Sequence, residues 1–189
     1  FIGRDFEESN YTKQIKIRGR GNLTWDQPKK PYQLKFDKKT SLLGMSSDKK
    51  WIFLTNYIDK TMSRTSIAFE MGYLSNLDWT PNSEFSEIFL NNKSIGTYQV
   101  TEKIEEDNHR VNIGKNGYLL EVDHLSRIEA DHIYFKTPVL GERDKFFRIK
   151  SPEIDFNSRE FNYIRDYITN FENVLYGDDF NDPEKGYKT

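Results

Sequence analysis

The chain has 189 residues, a formal net charge of −2 and no cysteine. That length suits one domain with a real core. The near-balanced charge supplies no overall basic field to draw nucleic acid or an anionic membrane, and the missing cysteines exclude disulfides, thiolate metal sites and a thiol nucleophile. Charged residues make up 31% and aromatic residues 15%, so rings supply much of the buried area. No apolar run approaches the about 18 residues that a spanning helix needs. The chain opens on Phe1 rather than Met and stops at Gly186-Tyr187-Lys188-Thr189, and it reads as a piece of something longer.

Residues 14–17 alternate as a strand and lead into the turn Gly19-Arg20-Gly21-Asn22. Tyr32-Gln33-Leu34-Lys35-Phe36 has period 2, with Tyr32, Leu34 and Phe36 on one face. Residues 51–57 form a further strand candidate. A helix is expected over residues 61–76, with Asp59 as N-cap and Ile67, Met71 and Leu74 as its apolar stripe. Strands over 85–90 and 95–100 flank Asn91-Asn92-Lys93-Ser94, a hairpin signal because Asn tolerates the left-handed backbone. Strands are also expected over 118–122, 132–136 and 146–149. A second helix is expected over 158–176, where Asn157 and Glu160 have capping-box spacing. Its apolar face is Phe161, Ile164, Ile168, Phe171 and Leu175, and Gly177 stops it.

Strands outnumber helices and neighbour one another antiparallel, which predicts an α+β fold, sheet-rich, with two main helices. Residues 1–176 are expected to form a single domain piece, and residues 177–189 an acidic linker or the start of a remaining domain. The acidic residues of that tail miss the spacing of a calcium-binding loop.

Several segments carry residues suited to chemistry. Arg18-Gly19-Arg20-Gly21-Asn22-Leu23-Thr24-Trp25 is a glycine-containing turn with two arginines. Glycine lets backbone N–H groups approach an anion, and arginine presents a planar fork to phosphate. A hairpin turn with solvated arginines is the plainer reading. Lys35 lies on the strand face opposite Tyr32 and Leu34, where it could neutralise phosphate or simply face solvent. Arg64 and Glu70 border the stripe of the first helix, and Glu70 could pair with a strand lysine or with a surface neighbour. Glu102 and Glu105-Glu106 follow the hairpin, and Glu121 and Asp123 end a strand. His109, His124 and His132 lack metal-ligand spacing, which argues against zinc.

Taken in order, these segments resemble the CotH kinase family (spore coat protein H and its relatives). The residues that carry the resemblance are Ile17-Arg18-Gly19-Arg20-Gly21-Asn22-Leu23-Thr24-Trp25, Pro28-Lys29-Lys30-Pro31-Tyr32-Gln33-Leu34-Lys35-Phe36, Leu42-Leu43-Gly44-Met45, Lys50-Trp51, Asn56-Tyr57-Ile58-Asp59-Lys60-Thr61, Arg64, Leu90-Asn91-Asn92, Gly96-Thr97-Tyr98-Gln99-Val100-Thr101-Glu102-Lys103, Gly117-Tyr118-Leu119-Leu120-Glu121-Val122-Asp123 and Ile149-Lys150-Ser151-Pro152-Glu153. They span most of residues 15–153.

The resemblance implies a divergent protein-kinase-like fold that uses ATP and Mg2+ or Mn2+ to phosphorylate Ser/Thr hydroxyls of a protein substrate. It implies a nucleotide-binding set of Arg18, Arg20, Asn22, Lys30 or Lys35, Glu70 and Glu102. The turn would cover phosphates, a lysine would neutralise them, the first helix would supply its partner, and Glu102-Lys103-Ile104 would hold adenine. Phosphoryl transfer needs carboxylates to orient the hydroxyl and hold the metal. In this family those look like an Asn-x-Asp and a later Trp-Asp-x-Asp segment beyond the second helix, so the chain is expected to bind nucleotide weakly at best and not to transfer phosphate. The alternative is a non-catalytic adhesion module on the same scaffold, at a bacterial cell surface or spore coat, binding a coat or surface protein; cytoplasm is also compatible with the composition. A helix over 158–176 lacking its packing partner would offer its stripe to a homodimer contact.

Overall fold

A computed structural model describes residues 2–5 and 8–186. It divides into two compact units, Phe1–Asn112 and Ile113–Thr189. The architecture is α+β with antiparallel sheets, as the strand pattern predicts.

The first unit begins with an antiparallel ribbon of β1 (Ile2–Asp5) and β2 (Glu8–Thr12). A five-stranded sheet follows, built from β3 (Ile15–Gly19), β4 (Tyr32–Thr40), β5 (Asp48–Leu54), β6 (Ser83–Leu90) and β7 (Lys93–Glu102) in the order β3-β4-β5-β7-β6. Helix α1 (Arg64–Leu74) lies in the chain between β5 and β6. The β6–β7 hairpin turns on Asn91 and Asn92, both with positive φ, the backbone that a two-residue turn with right-handed strand twist requires. Its second strand then pairs with β5, so the last strand sits inside the sheet.

Strand alternation separates two faces. Leu34, Phe36, Trp51, Phe53, Tyr98 and Val100 are buried on one, joined by Leu42 and Met45 from the β4–β5 connection. Burying a side chain of this size contributes about 1.5–3 kcal/mol. Tyr32 packs against the same cluster, so the face read from the sequence is the core face.

The opposite face carries buried polar groups, chiefly Gln33, Gln99 and Thr101. Gln99 is fully buried. Its carbonyl accepts from Asn56 Nδ2 at 2.8 Å, and its amide donates to Ser83 Oγ at 2.8 Å and Ser66 Oγ at 3.2 Å. Ser66 belongs to α1, so this side chain fixes the helix on the polar face.

That contact overturns one expectation. Ile67, Met71 and Leu74 do not pack as a stripe; they are 56%, 66% and 79% exposed. The polar sheet face selects the side of α1 that bears Ser66, and the apolar residues turn outward. The helix also starts later than expected, because Asp59 accepts from Thr61 N at 3.2 Å and Arg64 N at 2.8 Å. These bonds build a turn ahead of the first helical residue.

In the second unit β8 (Leu119–His124), β9 (Tyr134–Phe135) and β10 (Lys145–Ser151) pair in the order β8-β10-β9. The expected strand over 132–136 shortens because His132 closes a turn, its N–H donating to Glu129 O at 3.1 Å. A one-turn helix α2 (Pro138–Gly141) precedes β10, and α3 (Arg159–Tyr176) follows it. Ser158 caps α3 by accepting from Phe161 N at 3.1 Å, one residue beyond the expected Asn157, which takes a positive φ. Phe161 and Ile164 of α3 bury against Phe135 and Ile149, with Ile168 packed alongside. The first half of the expected apolar face of α3 is therefore covered within its own unit, whereas Phe171 is exposed and Leu175 only partly buried. Glu172, also buried, accepts from Val139 N at 3.2 Å and caps α2.

Gln99→Leu keeps the volume but strands three polar partners, each loss costing about 1 kcal/mol or more. Urea unfolding is expected to show a loss of about 3 kcal/mol or more. An unchanged midpoint would remove Gln99 from this role.

Candidate functional site

The β3–β4 connection is held by its own residues. The Trp25 ring lies where a Cβ at Gly19 would be, so only glycine lets it pack on the strand end. Gly21 has φ +90°, and a Cβ there would meet Thr24 Oγ1. Trp25 N donates to Asn22 O at 2.7 Å, and Arg20 N to Pro31 O at 3.2 Å. Lys30 Nζ donates to Trp25 O at 2.5 Å and lies 5.4 Å from the centre of that ring. Lys29 Nζ donates to Thr97 O and stands over the Tyr98 ring at 4.5 Å. Tyr98 in turn donates its hydroxyl to Lys30 O at 2.9 Å. Burial, and then the neighbouring Tyr32, push the Tyr98 phenol up to about 12, so it remains a neutral donor.

Cations accumulate on the polar sheet face. In register, Lys16 of β3 opposes Lys35 of β4, and Lys35 opposes Lys50 of β5. Like charges directly opposite are destabilising. Lys50 is neutralised by Glu105 at 2.6 Å. Arg18 shares the face of Lys35 and donates from Nη2 to Gln33 Oε1 at 3.0 Å. Arg20 follows at the strand end, half-buried; desolvation, and then the nearby Arg18 charge, lower its pKa. No ion pair joins Arg18, Arg20 or Lys35 to a carboxylate among the described residues. A row of cations without counter-charge is a face suited to an anion.

The residues named from the sequence therefore divide. Arg18, Arg20 and Lys35 lie together, with Asn22 in the adjoining turn. Lys30 is committed to Trp25. Glu70 is exposed and makes no ion pair with Lys30 or Lys35 among the described residues; it lines a cavity of about 510 Å3 with Ser66, Phe69, Tyr73, Asn82 and Ser83. Arg64 approaches Asp59 at 3.9 Å instead. Glu102 is 2% exposed and sits opposite Trp51 on the core face. Its Oε2 accepts from Asn82 N at 2.9 Å and Asn82 Nδ2 at 3.1 Å, and its Oε1 has no hydrogen-bond partner. Glu121 and Asp123 are engaged by Lys150 at 3.2 Å and Arg127 at 2.9 Å.

The sequence reading missed the network beside this face. Arg110 is buried against Trp51, 5.4 Å from the ring centre. It donates to Lys103 O at 2.9 Å, Lys50 O at 2.8 Å and Glu105 Oε1 at 3.1 Å, and reaches Asp48 at 3.4 Å. It pins the segment after β7 to β5. The spacing of Asp48, Lys50 and Trp51 against a distant arginine carries no local signal. The polar Gln99 between Tyr98 and Val100 did offer one.

A family model described as CotH kinase protein matches residues 17–189. No curated protein and no solved structure matches the chain.

Burial works to raise the Glu105 carboxyl, but the Lys50 hydrogen bond and the Lys103 and Lys50 charges outweigh it and hold its pKa below the usual value. Stability from a depressed carboxylate is present above the ordinary pKa and lost as pH falls through the folded value. Between about pH 6 and about pH 3 the parent chain is expected to lose more stability than Glu105→Gln. Equal losses in urea unfolding would contradict the assignment.

Proposed function

The chain belongs to the CotH kinase protein family, and from that premise we propose that it binds ATP, with the phosphates received on the cationic face of Arg18, Arg20 and Lys35. One observation carries this reading: Arg18 and Lys35 share a face, Arg20 follows at the strand end near Arg18, and none of the three has a carboxylate partner among the described residues. Arginine forks match phosphate oxygens two at a time, and a strand lysine adds a point charge. The Gly19-to-Trp25 turn, latched by its own tryptophan, presents Arg20 without needing the ligand to order it. Lys35 is preferred to Lys30 because Lys30 is already bonded to the Trp25 carbonyl.

The reaction that the family implies is transfer of the terminal phosphoryl group to a Ser/Thr hydroxyl with Mg2+ or Mn2+. The donor set fits the nucleotide: cationic groups face an anion. It does not fit the metal, since a hard divalent cation takes oxygen ligands; among the described residues no carboxylate pairs with Arg18, Arg20 or Lys35, and Glu105 at the far end of the row is taken by Lys50. Binding without transfer is accordingly the activity proposed for this chain. A second reading, a surface or spore-coat adhesion module, is favoured by Tyr163 and Tyr167, which stack at 6.2 Å and are 60% and 59% exposed.

Titration calorimetry with ATP tests the proposal. Arg18→Ala and Lys35→Ala are each expected to weaken binding by about tenfold, the equivalent of about 1.4 kcal/mol. Lys30→Ala is expected to change it little. Binding indifferent to Arg18 and Lys35, or sensitive to Lys30 alone, would overturn the assignment.

A further inference from the structure

The loop between β8 and β9 gathers three groups with ligand chemistry. After a short 3-10 turn at Leu125–Arg127, the His132 N–H donates to Glu129 O at 3.1 Å and closes a tight turn. This turn brings Glu129, Asp131 and His132 together, with one ligand atom from each within 4.8 Å of the others. Nε2 of His132 lies 3.4 Å from Glu129 Oε2 and 3.9 Å from Asp131 Oδ1.

Burial within the trio is uneven. The His132 side chain is 3% exposed, whereas those of Glu129 and Asp131 are 74% and 81% exposed. A buried imidazole is thus turned toward two solvent-facing carboxylates, and its Nε2 has no hydrogen-bond partner. An orphaned buried nitrogen is costly unless something occupies that direction. Nδ1 of the ring accepts from Glu129 N at 3.3 Å, which places the proton of the neutral metal-free ring on Nε2.

We infer that Glu129, Asp131 and His132 form a binding site for a first-row divalent cation, Zn2+ being the best fit. Zinc–ligand bonds of about 2.0–2.2 Å in tetrahedral geometry separate ligand atoms by about 3.4 Å. The Glu129–His132 distance already has that value, and a small rotation of the exposed Asp131 side chain supplies the third ligand. Imidazole nitrogen suits zinc and its neighbours in the first transition row, whereas Mg2+ prefers six oxygens. Three protein ligands leave the fourth position open to water. Coordination through Nε2 requires the ring proton on Nδ1, so the long contact from Glu129 N–H is given up on binding.

Titration calorimetry of Zn2+ into the full chain is expected to show one equivalent bound, with Mg2+ giving none at this site. Glu129→Gln and Asp131→Asn alter exposed side chains and leave the metal-free unfolding midpoint unchanged. Each is expected to weaken Zn2+ binding by at least about tenfold, the lower bound for loss even of an outer-sphere partner. Long-range 1H–15N NMR gives a readout that a merely structural histidine would not: on adding Zn2+, the His132 ring changes from the Nε2–H to the Nδ1–H tautomer. Absence of a bound equivalent, affinity untouched by both carboxamide variants, or a His132 ring unmoved by zinc would each overturn the assignment.

Discussion

The first unit depends on where β7 enters its sheet. Because it pairs with β5 rather than lying at the edge, its alternation must satisfy two neighbours and two faces at once. Tyr98 and Val100 point into the aromatic core with Trp51 and Phe53, and Gln99 points the other way. A fully buried amide between strands must find partners, and it finds them in β6, in α1 and in the residues after β5. One strand therefore places the core, the helix and the polar face together. Arg110, stacked on Trp51 and bonded to Lys50 and Lys103 carbonyls, extends the same constraint to the chain that leaves β7.

The polar face pays for this order electrostatically. Lys16, Lys35 and Lys50 stand in one row across three strands, an arrangement that repulsion disfavours. The fold relieves it at one end only, where Glu105 pairs with Lys50. At the other end Arg18 and Arg20 add to the charge. The Trp25 latch on Gly19 and the Lys30 bond to Trp25 keep the intervening turn closed, and the bond to Gln33 orients Arg18. It is on this charge arrangement that the proposal of a bound polyanion rests.

Much of this was legible in the sequence where the signal is local. Period 2 in Tyr32 to Phe36, the Asn91-Asn92 turn and the 3.6-residue periodicity of Phe161, Ile164 and Ile168 each report a backbone geometry that the residues themselves prefer. The stripe of Ile67, Met71 and Leu74 obeyed the same rule and still misled, because α1 answers to Gln99 across the chain rather than to its own apolar side. Arg18, Arg20 and Lys35 were readable as candidates; that they lack counter-charges was not, since this depends on strand register. The Glu129–Asp131–His132 turn was hidden for a related reason. Its three residues fall in a loop rather than on a helix or strand face, and only the burial of one ring in a tight turn gives their spacing meaning.

The central claim is that the cations of β3 and β4 form a phosphate-binding face. The most direct measurement is a 1H–15N NMR titration of the isotopically labelled chain with ATP. The account predicts saturable shifts concentrated on the residue 16–22 segment and on Gln33 and Lys35, with the Arg18 and Arg20 side-chain signals among those that move. Shifts confined to the cavity near Glu70 and Asn82, or none on β3 and β4, would contradict it.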